Sequence, residues 1–209
     1  MISPTFAVEK RLRKTGALFI AGTDEAGSGA WAGPVFAGAA IFPEKLPHVP
    51  PVLRDSKLLS PQQREQAFIW VTEHSSHWAV GQASAAEIDQ LNIRQAGFLA
   101  MRRAIEALGV TPNLVLCDGF PLPTSHPWPS QGIVKGDRLI ASIAAASIIA
   151  KVSRDHHLQE LDSMYPGYGL AIHKGYGTLV HRQALKKLGP SPIHRVSYQP
   201  IKQSLSSCL

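Results

Sequence analysis

The chain has 209 residues, enough for one domain with a short appendage. Its 44% hydrophobic content is ample for a core, and its 17% charged content is too low for a disordered chain. A net charge of +6 favours an acidic partner, nucleic acid before membrane, and two cysteines exclude a disulfide framework or a cysteine zinc site.

Residues 1–17 read as a loose basic arm. Its run Lys10-Arg11-Leu12-Arg13-Lys14 breaks any signal-peptide core. Ala17-Leu18-Phe19-Ile20-Ala21 and Pro34-Val35-Phe36-Ala37-Gly38-Ala39-Ala40-Ile41-Phe42 are two apolar runs of strand length. Between them lie Asp24, Glu25 and the glycines Gly27, Gly29 and Gly33. Residues 43–60 are proline-rich and irregular. Ser60-Pro61 starts a helix to about His74, with Ser as N-cap and Pro in the first turn.

His77 to Ala83 reads as a strand. Ser84 caps the next helix, with Glu87 completing a capping box. From about Arg94 to Leu108 the period is helical. Phe98, Met101, Ile105 and Leu108 form a core stripe, Arg102, Arg103 and Glu106 face out, and Gly109 ends the helix. Asn113 to Cys117 is a buried strand with Asp118 at its C-terminal end, and Gly132 to Lys135 is a further strand.

Asp137 opens a long helix to about Tyr165, whose first half is rich in Ala, Ile and Ser. Being apolar nearly all round, it is expected to lie buried on a sheet. Thr178 caps a last helix, with Val180, Ala184 and Leu188 inside and His181, Arg182, Lys186 and Lys187 outside. No run approaches the length of a membrane span. The order of elements predicts an α/β fold: a mixed central sheet flanked by helices, with a helical C-terminal extension. Residues 18–200 form the domain, and 201–209 are a tail, either partner-binding or disordered.

Four acids fall at strand or helix ends: Asp24, Glu25, Asp118 and Asp137. In open α/β sheets ligands collect at strand ends. A set of hard oxygen donors with no His or Cys at metal spacing suits Mg²⁺ or Mn²⁺ rather than zinc. Two such ions can activate a water and stabilise the leaving oxygen of a phosphodiester. Taken singly, each acid has a plainer account. Asp24-Glu25 and Asp118-Gly119 suit turns, and Asp137 suits an N-cap.

The longer strings decide more. Gly22-Thr23-Asp24-Glu25-Ala26-Gly27-Ser28-Gly29 and Ala32-Gly33-Pro34-Val35 closely resemble the signature of the type 2 ribonuclease H (ribonuclease HII) family. That signature is Gly-x-Asp-Glu-Ala-Gly-Arg-Gly, followed by Ala-Gly-Pro-Val. Leu114 to Gly119 and Val134 to Asp137 are similar to the second and third acidic motifs. Ser142 to Asp155 is similar to the long buried helix. Tyr165 to Gly169, His173 to Thr178 and Gly189 to Arg195 are similar to the late motifs. The resemblance runs from about residue 18 to residue 198.

It implies a ribonuclease H-like fold and a two-ion Mn²⁺ or Mg²⁺ site held by Asp24, Glu25, Asp118 and Asp137. It implies cleavage of the RNA strand of RNA/DNA hybrids and nicking of duplex DNA 5′ to an embedded ribonucleotide, leaving 3′-hydroxyl and 5′-phosphate ends. It also implies a monomer, and the cysteine usage suggests a reducing, cytoplasmic setting. The resemblance assigns Tyr176 to the sugar beside the ribonucleotide, and Gly27-Ser28-Gly29 to sensing the 2′-hydroxyl through its backbone. Lys57 matches a position suited to a phosphate. Asp155 is left as a structural or salt-bridge residue.

One position departs from the pattern: Ser28 stands where the family has Arg. Serine keeps the tight loop but loses a guanidinium, which predicts intact metal chemistry and a weakened preference for a single ribonucleotide. The basic C-terminal third adds eight Lys/Arg from Lys151 onward, with Tyr165, Tyr168, Tyr176 and Tyr198 among them, a nucleic-acid recipe. The rival readings are another nuclease on the same fold, a non-catalytic RNA/DNA hybrid-binding protein, and a plain structural domain.

Overall fold

The computed structural model describes residues 3–206. Strands β1 (Ile20–Ala26), β2 (Val35–Ile41), β3 (His77–Ala83), β4 (Leu114–Asp118) and β5 (Ser130–Ile133) form one sheet in the order β3-β2-β1-β4-β5. The first three pair antiparallel, while β1–β4 and β4–β5 pair parallel. The sheet is therefore mixed, as the alternation of elements predicted.

Helices α2 (Pro61–His74), α3 (Ala85–Leu91) and α4 (Ile93–Glu106) follow from their caps. Ser60 and Gln63 form one capping box, and Ser84 and Glu87 another. Met101, Ile105 and Leu108 are buried on one sheet face, with Phe98 packed beside them. The other face carries α6 (Ala141–Met164), with Ile143, Ile148 and Ile149 fully buried. Each such side chain stabilises the fold by roughly 1.5–3 kcal/mol.

That helix lies on the sheet almost backbone to backbone. A Cβ added at Gly22 would come within 2.2 Å of the Ser142 carbonyl carbon, and one at Gly38 within 2.2 Å of the Ala146 oxygen. The glycines in the strands and the small residues in the helix are one adaptation: both lower the helix–sheet separation.

The predicted single helix from Asp137 is in fact two. A four-residue turn α5 (Gly136–Leu139) precedes α6, and Ile140 breaks the path with extended backbone (φ −120°, ψ 123°), bridging in parallel to Thr5. The N-terminal segment is not loose. It forms α1 (Ala7–Arg13), Phe6 packs edge-on against Phe42 at 4.8 Å, and the Arg13 guanidinium donates to the carbonyls of Phe42, Pro43 and Glu44.

Within α1, buried Glu9 accepts the Ser142 N–H at 3.0 Å and so caps α6, which has no cap of its own. Basic composition suggested a solvated arm because a cap supplied 133 residues away leaves no local signal.

Short helix α7 (Leu170–His173), then α8 (Leu179–Leu188) and α9 (Gln199–Ser206), form the C-terminal extension. The face of α8 is rotated from the expected one: His181, Ala184 and Leu185 are buried, while Val180 and Leu188 are exposed. Much of the expected tail is helical, with Ile201 fully buried. Cys208 lies outside the described residues. Burial pushes the Cys117 thiol up to about 12, which makes it an inert core group. Among the described residues, no helix is long and apolar enough to cross a membrane.

Candidate active site

The parallel ladder between β1 and β4 ends at Thr23 and Cys117. The next residue on each strand is Asp24 and Asp118, so two carboxylates stand side by side at the C-terminal ends of adjacent parallel strands. Asp118 Oδ1 accepts the Gly136 N–H at 2.7 Å, which brings Asp137 to the same end of the sheet. This junction needs Lys135 in the left-handed region (φ 57°), an uncommon conformation for a residue with a side chain. Glu25 follows Asp24 where β1 leaves the β4 ladder, and its N–H donates to Asp24 Oδ1 at 2.8 Å.

These acids act on one another. Burial, then Glu25 and Asp118, pushes Asp24 well above the usual carboxylate range. Burial and Asp118 raise Glu25, and burial, Asp118 and Asp55 raise Asp137. Lys57, at the short 3₁₀ turn Ser56–Leu58, opposes the shift at both Glu25 and Asp137, so the structure brings it to the acids.

Crowded, desolvated acids offset only in part, by Lys57 and at Asp137 also by Arg138, are a donor set that suits a divalent cation. Among the described residues, no three His, Cys, Asp or Glu side chains converge closely enough to hold an ion as they stand. The carboxylates are instead turned to local donors: Gly136 N–H for Asp118, Ser147 for Asp24, and the Ser28 hydroxyl at 3.3 Å for Glu25.

The glycine loop lies beside the acids. Gly27 has φ 94°, and a Cβ there would fall 2.0 Å from Arg154 Nε, so only glycine fits. A Cβ at Gly29 would be 3.8 Å from the Tyr176 ring, which places the tyrosine against the loop. Tyr176 is held by its own neighbourhood. Trp31 N–H donates to Gly175 O at 2.8 Å, and Trp31 fills the space where Gly177 would carry a side chain.

Beneath that loop, buried His173 stacks on His181 at 4.5 Å, and His181 Nε2 lies 3.1 Å from His194 Nε2. Burial lowers both His181 and His194 to about 4, so those two rings are neutral at physiological pH.

Of the four C-terminal tyrosines, Tyr176 is the one whose exposed ring lies against Gly29 of the glycine loop. Tyr168 is buried, donating to Gly189 O, and Tyr198 donates beneath the loop to Ser28 O. Asp155 is a salt-bridge residue, 2.7 Å from Lys151. Arg154 and Arg195 are among the eight basic residues from Lys151 onward that suggest a nucleic-acid surface, yet both are fully buried. For Arg154 a signal existed: it continues the buried i, i+4 row Ala146, Ala150, Arg154, Leu158. Ser147 was read only as a small residue.

The ribonuclease HII family model matches residues 21–201. The chain belongs to the ribonuclease HII family. With it, the chain belongs among the metal-dependent endoribonucleases.

A ribonuclease HII from Desulfitobacterium hafniense (strain Y51) is 53% identical over 197 residues, covering 94% of this chain and 75% of that protein. One from Thermus thermophilus is 49% identical over 187 residues, covering 90% of this chain and 89% of that protein. The solved ribonuclease H2 from Pyrococcus horikoshii OT3 superposes with TM-score 0.74 at 24% identity, over 90% of this chain and 98% of that one. Bst-RNase HIII, solved in complex with Mn²⁺, superposes with TM-score 0.66 at 19% identity, over 93% of this chain and 71% of that one. These structural likenesses carry the ribonuclease HII–HIII fold.

Proposed function

We propose that the chain hydrolyses the RNA strand of RNA/DNA hybrids and nicks duplex DNA 5′ to embedded ribonucleotides, leaving 3′-hydroxyl and 5′-phosphate ends. The observation that carries this reading is the meeting of Asp24, Glu25, Asp118 and Asp137 at one sheet end, beside a glycine loop faced by Tyr176. Mutually raised carboxylates accept a divalent cation readily, because the cation removes the repulsion that crowding creates.

Asp24, Glu25, Asp118 and Asp137 would hold Mg²⁺ or Mn²⁺. When bound, two such ions supply an activated water and stabilise the leaving oxygen. The remaining roles belong to the chain itself. Tyr176 offers a ring to a sugar at a surface that is 39% exposed. The Gly27-Ser28-Gly29 backbone admits a ribose closely and offers it donors, and the 2′-hydroxyl is what separates RNA from DNA. Lys57, exposed beside Glu25 and Asp137, suits a backbone phosphate. The Ser28 hydroxyl gives Glu25 a neutral partner where the family pattern has a guanidinium, which favours long hybrids over a lone ribonucleotide.

The test uses two labelled duplexes, one with a single ribonucleotide in DNA and one with a long RNA strand paired to DNA. Each is incubated with Mg²⁺, with Mn²⁺ and with chelator. Metal-dependent cutting of the long hybrid, and slower cutting 5′ to the lone ribonucleotide, are expected. Binding of both duplexes without cutting in either metal would replace this reading with that of a non-catalytic hybrid-binding protein.

A further inference from the structure

Arg154 and Arg195 are among the largest fully buried side chains, and neither makes a salt bridge among the described residues. A buried guanidinium without a carboxylate is costly, and an apolar residue of similar size would serve a core better. Their hydrogen bonds go to backbone carbonyls of the loop between β1 and β2 and of the turn after α7 that leads to Tyr176. Arg154 donates to Ala32 O, Pro34 O and Lys174 O at 3.2, 3.0 and 2.9 Å. Arg195 donates to Gly33 O at 3.0 Å and Ser28 O at 3.1 Å.

Tyr198 completes the second cluster. Its hydroxyl accepts from Arg195 at 3.1 Å and donates to the same Ser28 O at 2.8 Å. The turn that carries Arg195 and Tyr198 is itself fixed, since Asp89 accepts the N–H groups of Val196 and Ser197.

The doubly held Ser28 carbonyl has a geometric consequence. In a trans peptide the C=O and the following N–H point opposite ways. No peptide bond among the described residues is cis. Holding Ser28 O inward therefore turns the Gly29 N–H outward, at an exposed residue next to the Tyr176 ring. Only the small residues of this loop let a ligand approach that amide closely.

We propose that Tyr198 and Arg195 are positioning residues that aim the Gly29 amide at the substrate ribose by pinning the Ser28 carbonyl, and so set the discrimination between RNA and DNA. This rests on the reading of the loop as the ribose contact. It matters more here than where an arginine occupies position 28, because Ser28 leaves the loop with no long side chain of its own to fix it. The hydroxyl of Tyr198 is the separable part: Tyr198→Phe keeps the packed ring and removes one bond to Ser28 O.

The experiment measures affinity for an RNA/DNA hybrid and for an all-DNA duplex of the same sequence, in chelator so that neither is cut. Turnover of the hybrid in Mn²⁺ is measured in parallel. For Tyr198→Phe, hybrid affinity is expected to fall about three- to tenfold, the worth of one hydrogen bond, while affinity for the DNA duplex stays within twofold. Arg195→Lys, which keeps charge but cannot reach both carbonyls and the tyrosine together, should move the ratio the same way and further. A residue that merely supports the fold would weaken both duplexes equally or lower the melting temperature alone.

An unchanged hybrid-to-DNA ratio in a folded Tyr198→Phe protein overturns the proposal, even if Arg195→Lys fails to fold. A parent protein that shows no preference for hybrid over DNA overturns the ribose reading beneath it, and the proposal with it. A parent that prefers hybrid and cuts it keeps that reading whatever Tyr198→Phe does.

Discussion

Replacing Asp118 with Asn should stabilise the metal-free protein while removing its activity. The Asp118 charge helps to raise the carboxylates of Asp24, Glu25 and Asp137. Adjacent strands lie about 4.8 Å apart, so carboxylates one residue past the last paired positions are about 5–6 Å apart. At an effective dielectric of about 20, one fully charged pair at that spacing costs about 3 kcal/mol. Solvent screening and local relaxation relieve some of it, leaving a gain of about 1–3 kcal/mol for Asp118→Asn at pH about 8. The asparagine oxygen can still accept the Gly136 N–H, so the turn before α6 survives.

The sign with pH follows from the direction of the shifts. Asp24, Glu25 and Asp137 all titrate above the ordinary carboxylate range when folded. Between that range and their raised values the folded chain holds more protons than the unfolded one, so stability falls as pH rises. The variant should show a shallower fall. Its advantage should be largest at pH about 8 and shrink as pH falls through the raised values of Asp24, Glu25 and Asp137, where protonation removes their charge. Urea unfolding in chelator at pH about 8 and at a pH below those raised values measures this, and Mn²⁺ should then stabilise the parent more than the variant. A variant no more stable than the parent at pH 8, or equally advantaged at both pH values, would refute the account of crowded acids.

Three further outcomes follow from the geometry. Gly27→Ala meets a φ of 94° and the Arg154 guanidinium at 2.0 Å, so it should cost at least about 1–3 kcal/mol and impair hybrid cutting, read by thermal melting and initial rate. Glu9→Ala removes the cap of α6 and should lower stability by about 1–2 kcal/mol, with activity per folded molecule retained; an unchanged melting temperature would show the capping bond to be inconsequential. Ser28→Arg should raise cutting at a lone ribonucleotide relative to the long hybrid by about tenfold, the worth of a charge-assisted phosphate contact, and an unchanged ratio would remove Ser28 as the cause of any weak preference.

The sheet, the limits of β3 and two of the helix caps were legible because each rests on local chemistry: apolar runs, and Ser60 and Ser84 as caps. The apolar run from Ala17 to Ala21 set β1 too early, since the strand runs Ile20–Ala26 and carries Asp24 and Glu25 within it, and β5 runs Ser130–Ile133 rather than from Gly132 to Lys135. The four acids were suggested by their places near element ends and gathered by the family-like strings around them. Non-local devices were not legible. Glu9 capping α6 and Arg195 beneath Ser28 join positions 133 and 167 residues apart, and no periodicity encodes such pairings. The inward face of α8 was misjudged because His181 reads as polar, whereas its ring is satisfied by Tyr176 O and His194 and so can be buried. Arg154 shows the same bias: it counted among the basic residues of the C-terminal third, although the helical row Ala146, Ala150, Arg154 and Leu158 places it inside.

The most direct test of the acid site compares the parent with Asp24→Asn on the long hybrid, in Mn²⁺, with folding checked by melting and binding checked in chelator. The account predicts a folded variant that still binds hybrid and cuts it at least about a hundredfold more slowly, the scale of losing several kcal/mol of transition-state stabilisation. Cutting by Asp24→Asn at the parental rate would contradict it.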